Sequence, residues 1–134
     1  MPRYMKRTAL ALCAVASLAA AGTTTTHPSR TVLLDCAGQP RTRPADYVLA
    51  CGDGNSRLTA LHWSRWTSGE AEGRGLNAVN DCVPYCAAGT FHSYPVRVRL
   101  HAARAGHYTK VTLTFTAGGP AKAPPTVTYP LPHF

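Results

Sequence analysis

From Tyr94 to His101 the chain alternates with a period of two: Val96, Val98 and Leu100 take every second position, and Pro95, Arg97, Arg99 and His101 take those between. This is the pattern of a strand with one face on a core and the other in water. Tyr108 to Phe115 repeats it, with Val111, Leu113 and Phe115 on the apolar side. Only Ala102 to Gly106 separates the two, so they are expected to pair antiparallel. Thr126-Val127-Thr128-Tyr129 predicts a last edge strand ahead of Pro130.

Upstream, Thr31 to Cys36 is β-branched and apolar and is punctuated by Ala37-Gly38-Gln39-Pro40, which predicts a strand and a turn. Pro40 and Pro44 carry an extended connection into a second strand, Tyr47 to Cys51, and Gly52 to Asn55 has turn composition. Leu58 to Trp66 fits two periods. Leu58, Leu61 and Arg65 suit a helical stripe capped at Asn55 or Ser56, whereas Thr59, Leu61 and Trp63 line one face of a strand. The neighbouring segment favours the strand, because Glu70 to Gly75 alternates charged with very small residues. The small face of Ala71, Gly73 and Gly75 leaves room for Trp63 or Trp66 to lie across it from a neighbouring strand. Asn77 to Cys86 reads as turn-rich, ending at Gly89. The expected fold is all-β: a small antiparallel β-sandwich or open barrel with at most one short helix, placed near Asn55 to Ser64.

The N-terminus changes the picture of where such a fold works. Arg3, Lys6 and Arg7 precede an uncharged run from Thr8 to Ala21, which ends in three alanines before Gly22. That is the layout of a secretory signal peptide, and the run is shorter than the ~20 apolar residues a membrane span needs. The expected organisation is a signal peptide over 1–21, a disordered Thr-rich leader over 22–30 and one secreted β domain over 31–134, with no membrane association after cleavage. Loss of Arg3, Lys6 and Arg7 lowers the formal charge from +8 to +5, and the remaining cations are scattered along the chain. Solubility or attraction to anionic cell-surface polymers accounts for such a charge; a nucleic-acid partner, which favours a basic stripe with interleaved aromatics, is not expected.

Cys13 leaves with the signal, and Cys36, Cys51, Cys82 and Cys86 remain. In an oxidising compartment an even number predicts two disulfides with three possible connectivities. The local pairing Cys36–Cys51 with Cys82–Cys86 is the expected one, although loop entropy alone does not select it. A four-thiolate zinc site usually draws on two close cysteine pairs, and Cys36 and Cys51 are not close; Cys82 and Cys86 also lack the C-x-x-C spacing of redox pairs.

The strings LACGDGN and LHWSRW, the A-x-G-x-G of residues 71–75 and NDCVPYCAAGTFHSYPV resemble a group of small secreted actinobacterial proteins that have a signal peptide and no assigned activity. The likeness covers Tyr47 to Leu100. It implies export and a general architecture, and it brings no catalytic residue with it.

Candidate chemistry is sparse. There is no G-x-S-x-G, H-E-x-x-H, phosphate-binding Gly-Lys-Ser/Thr loop or dinucleotide fingerprint. Glu70 and Glu72 stand roughly 7 Å apart along an extended chain, a separation that carboxylate pairs in glycoside hydrolysis have. With Arg74 on the same face they also read as an exposed ladder of opposite charges. Asp53, Asn55, Asn80 and Asp81 offer oxygen ligands to calcium in two turns, yet Asp and Asn are the usual turn residues and neither segment matches an EF-hand. His62, His92, His101 and His107 lack ligand spacing, and a Ser93, His92 and Asp81 triad would be recognised only by geometry. Trp63-Ser64-Arg65-Trp66 is the strongest lead: two rings three apart in a straight strand point to opposite faces, so one would be exposed beside Arg65 to stack on a sugar or anchor a partner. The alternative is that both are core aromatics over Ala71, Gly73 and Gly75. No cofactor and no metal is expected. The leading expectation is a non-catalytic extracellular or cell-surface binding module, with a small secreted hydrolase using carboxylates near Glu70/Glu72 or Asp53/Asp81, or a structural or inhibitory exoprotein, as alternatives.

Overall fold

The computed structural model describes residue 22 and residues 30–134. The expected signal peptide and nearly all of the expected leader therefore lie outside the described residues. Among the described residues there are eight strands: β1 (Leu33–Leu34), β2 (Pro40–Arg41), β3 (Tyr47–Val48), β4 (Ser56–Trp66), β5 (Ala71–Asn80), β6 (Phe91–His101), β7 (Lys110–Phe115) and β8 (Thr126–Pro130). β3 to β8 make one six-stranded antiparallel sheet in chain order, and β1 pairs with β2 in a separate hairpin. The sheet curls into a half-barrel, so the all-β expectation holds in its open-barrel form.

Register carries the two faces across the whole sheet. One row reads Trp66, Ala71, Leu100, Val111 and Tyr129, and the next reads Trp63, Gly73, Val98, Leu113 and Val127. These rows form the apolar face, where Ala71, Val98, Val111 and Leu113 are fully buried. Residues 31–49, together with Tyr108 and Leu131, close over it through Leu33, Tyr47 and Leu49. Two disulfides staple the fold, Cys36–Cys51 and Cys82–Cys86. The first ties the covering segment to the turn that leads into β4.

β4 is a strand, and no helix occupies Asn55 to Ser64. The helical turn among the described residues is a 3₁₀ turn at Cys86–Ala88. Two register shifts, between Thr59 and His62 and between Trp63 and Arg65, explain why β4 fits neither simple period. Each is a β-bulge, which inserts an extra residue and bends the strand. The second corrects the expectation that the two indoles point apart: with Ser64 as the extra residue, Trp63 and Trp66 both pair into the apolar face. Their rings meet edge to face at 4.9 Å, and Trp66 meets Tyr108 in the same way at 5.5 Å. Their N–H groups donate to the backbone carbonyls of Pro44 and Thr31, which fastens the covering segment to the sheet.

The small face of β5 exists because β4 crowds it. A Cβ on Gly73 would lie 2.7 Å from the His62 carbonyl oxygen and 3.0 Å from the Trp63 ring, and one on Gly75 would lie 2.7 Å from the Thr59 carbonyl oxygen. The expected cover by a tryptophan is supplied by Trp63 at Gly73, whereas the side chain over Gly75 is Leu61. β5 also runs further than its composition predicts. Residues 77–80, expected as turn, pair with β6 throughout, and residues 77–79 pair with β4 as well.

Candidate functional site

The polar face of the sheet is dished into an open trough of about 840 Å³. The same alternation that buries Val96, Val98 and Leu100 turns Arg97 and Arg99 outward. On β5 it turns Glu72 and Arg74 outward, and on β7 it places Thr112 and Thr114 beside them in the trough. Cations that look scattered in the sequence are thus gathered: Arg65, Arg74, Arg97 and Arg99 share this face with Glu70 and Glu72, leaving it net positive.

Two adjacent rows across the strands are built differently. One runs Arg65, Glu72, Arg99, Thr112 and Thr128. Its arginines are both ion-paired: Glu70 takes Arg65 at 3.0 Å on one carboxylate oxygen and Arg99 at 3.0 Å on the other. The next row runs His62, Arg74, Arg97, Thr114 and Thr126. Here Arg74 stands directly opposite Arg97, both are exposed, and neither has a carboxylate within 4 Å among the described residues. Like charges directly opposite each other destabilise a sheet by a few tenths of a kcal/mol up to about 1 kcal/mol. Two arginines at opposite register positions without a carboxylate partner are chemically able to take an oxyanion, which arginine binds in a planar fork.

No family model, curated protein or solved structure matches this chain.

Of the residues singled out in the sequence, Arg65 lies on the trough face, paired with Glu70, while Trp63 and Trp66 turn to the other face as half-buried rings with both N–H groups bonded. The three do not form one surface. Glu70 sits before β5 with Arg65 and Arg99 as its partners, in place of a ladder with Arg74, and Glu72 lines the trough. Asn55 and Asn80 do bring the two acidic turns together, through a side-chain hydrogen bond of 3.0 Å. The Asp53 carboxylate accepts the Asn55 backbone N–H, and that bond holds its pKa below the usual carboxylate value. Asp81 accepts the N–H groups of Thr90 and Val83 on one oxygen and meets His92 Nε2 at 2.9 Å on the other. The Thr90 bond first, then His92, lower its pKa to about 2. Among the described residues no three His, Cys, Asp or Glu side chains cluster as metal ligands. His92 meets Asp81, but Ser93, its neighbour on the strand, leaves the opposite face of the sheet, so the three do not converge.

His101, at the end of β6, contacts Thr112 Oγ1 at 2.8 Å, and its pKa is lowered by burial and then by the charges of Arg99 and Lys110. Arg57, on the same sheet face, lies over the Phe91 ring at 4.5 Å. The sequence alone marks neither Arg74 nor Arg97 as half of a site. The alternation put both on a polar face, but the register that sets them opposite each other has no mark in either strand.

Proposed function

We propose that this chain is a non-catalytic binding domain that works outside the cell and holds an anionic ligand on the Arg74–Arg97 pair in the trough. The observation that carries the reading is the contrast between the two rows. The sheet gives Arg65 and Arg99 a shared carboxylate in Glu70, yet leaves Arg74 and Arg97 facing each other in a concavity without one. Proteins keep such locally unfavourable arrangements at functional sites. Two disulfides suit an oxidising environment, and no helix among the described residues is long and apolar enough to cross a membrane. The likeness to small secreted actinobacterial proteins points the same way.

Titrating inorganic phosphate or sulfate into the protein, while following the arginine Nε–Hε resonances by NMR, tests the site. The Arg74 and Arg97 signals are expected to move together and saturate, with smaller shifts at Arg65 and Arg99, and Arg74→Ala is expected to abolish saturation at Arg97. Uniform, unsaturable drift of all arginine signals would contradict a site. Because the ligand is held by exposed charge, the affinity is expected to fall as sodium chloride is raised.

A further inference from the structure

We infer that the ligand on the arginine pair is a hydroxyl-rich anionic chain, a sulfated or phosphorylated glycan or polyol, lying across the strands from His62 to Thr126. The inference rests on the anion-binding reading above and adds what lies beyond the anion. The row His62, Arg74, Arg97, Thr114 and Thr126 is continuous in register over five strands. At about 4.8 Å between strands it spans about 19 Å. A single inorganic anion would touch only its two arginines. Beyond the arginines the row holds His62 at one end and the hydroxyls of Thr114 and Thr126 at the other, and the adjoining row supplies a second pair in Thr112 and Thr128.

Those hydroxyls keep hydrogen-bonding capacity. Thr112 and Thr128 share one bond of 2.8 Å, Thr112 Oγ1 also meets His101 Nε2 at 2.8 Å, and Thr126 donates to Thr114 at 3.4 Å. Each threonine hydroxyl has one donor and two acceptor positions, so such a mutual bond leaves sites for the donors and acceptors of a polyol. The composition of the trough argues against other chains. None of the residues that line it is Phe, Tyr or Trp, whereas single-stranded nucleic acids are held largely by stacking on aromatic rings. An acidic peptide would match the arginines but has no hydroxyl run to meet the threonines.

The test is an affinity series at fixed ionic strength. The probes are inorganic sulfate and phosphate, a sulfated oligosaccharide, a glycerol-phosphate oligomer, a neutral dextran oligosaccharide, an oligoglutamate and a single-stranded oligodeoxynucleotide. We expect at least one of the two hydroxyl-rich anionic oligomers to bind tenfold or more tighter than the free anion it carries. Which of the two does so identifies the source of the charge. Thr114→Val with Thr126→Val is expected to remove most of that gain, in a protein whose circular dichroism and melting temperature match the parent. If both oligomers bind no tighter than the free anions, or the threonine variant keeps the full gain, the chain inference fails while the anion site stands. Tighter binding by oligoglutamate or the oligonucleotide also overturns it. No binding of any anion overturns both readings.

Discussion

At the scale of single residues, the molecule is most exacting where β4 crosses β5. Gly73 and Gly75 are required by the approach of carbonyl oxygens to 2.7 Å of any added Cβ, and backbone cannot step aside as a flexible side chain can. Gly73→Ala is therefore expected to destabilise the fold by about 1–3 kcal/mol, the usual cost of overpacking a core. Gly69→Ala, where an added Cβ meets nothing within 4 Å, is expected to cost far less; urea denaturation of both variants checks the contrast. This crowding was partly legible in the sequence, since Ala71, Gly73 and Gly75 on one face of a strand called for a large ring across them. The direction of the second indole was not. The bulge that turns Trp66 inward depends on one extra residue, Ser64, which looks like any exposed serine, and the other bulge places the non-glycine Ala60 at φ +50°.

The elements show where local preference yields to pairing. Asn77, Asn80 and Asp81 have turn chemistry, yet β5 continues to Asn80 because β6 is hydrogen-bonded along its whole length. Turn residues then act at the point where pairing ends. Asn80 Oδ1 accepts the Cys82 N–H while its Nδ2 donates to the Cys86 carbonyl, and Asp81 accepts from Val83 and Thr90, so the small disulfide loop is braced by side chains at its base. The pairing of Cys82 with Cys86 was expected from their separation of 4 residues; this bracing was not, because Asp and Asn in a turn look alike whatever they bond. The brace has an acid limit. Asp81 has a folded pKa of about 2 against an ordinary 3.8, so its contribution is complete above about pH 4 and is lost as the pH falls toward 2. Asp35 and Asp53 are lowered in the same sense. The prediction is stability that is level from neutrality to about pH 4 and then declines, with Asp81→Asn less stable at pH 7 and converging on the parent near pH 2. Denaturation midpoints of the two proteins across this range read the difference, and a constant offset at all pH values would contradict it.

For the whole molecule, the half-barrel separates two tasks between its faces. One face buries its side chains under a covering segment that is held by a disulfide and two indole hydrogen bonds. The other carries an ordered array of arginine and threonine that the core does not need. The period-two alternation made both faces legible in the sequence. The site depended on register between β5 and β6, a long-range relation that sets Arg74 against Arg97 rather than against a glutamate. If that pair is kept for a ligand, relieving it should raise stability and remove binding together, the trade expected of a functional site. The most direct measurement is the melting temperature of the parent and of Arg97→Glu at low ionic strength, each with and without saturating sulfate. Arg97→Glu is expected to melt higher than the parent without sulfate, by the equivalent of about 0.2–1 kcal/mol, and to gain little on adding sulfate, which should stabilise the parent. A parent that sulfate does not stabilise, with Arg97→Glu no more stable than it, would contradict the account.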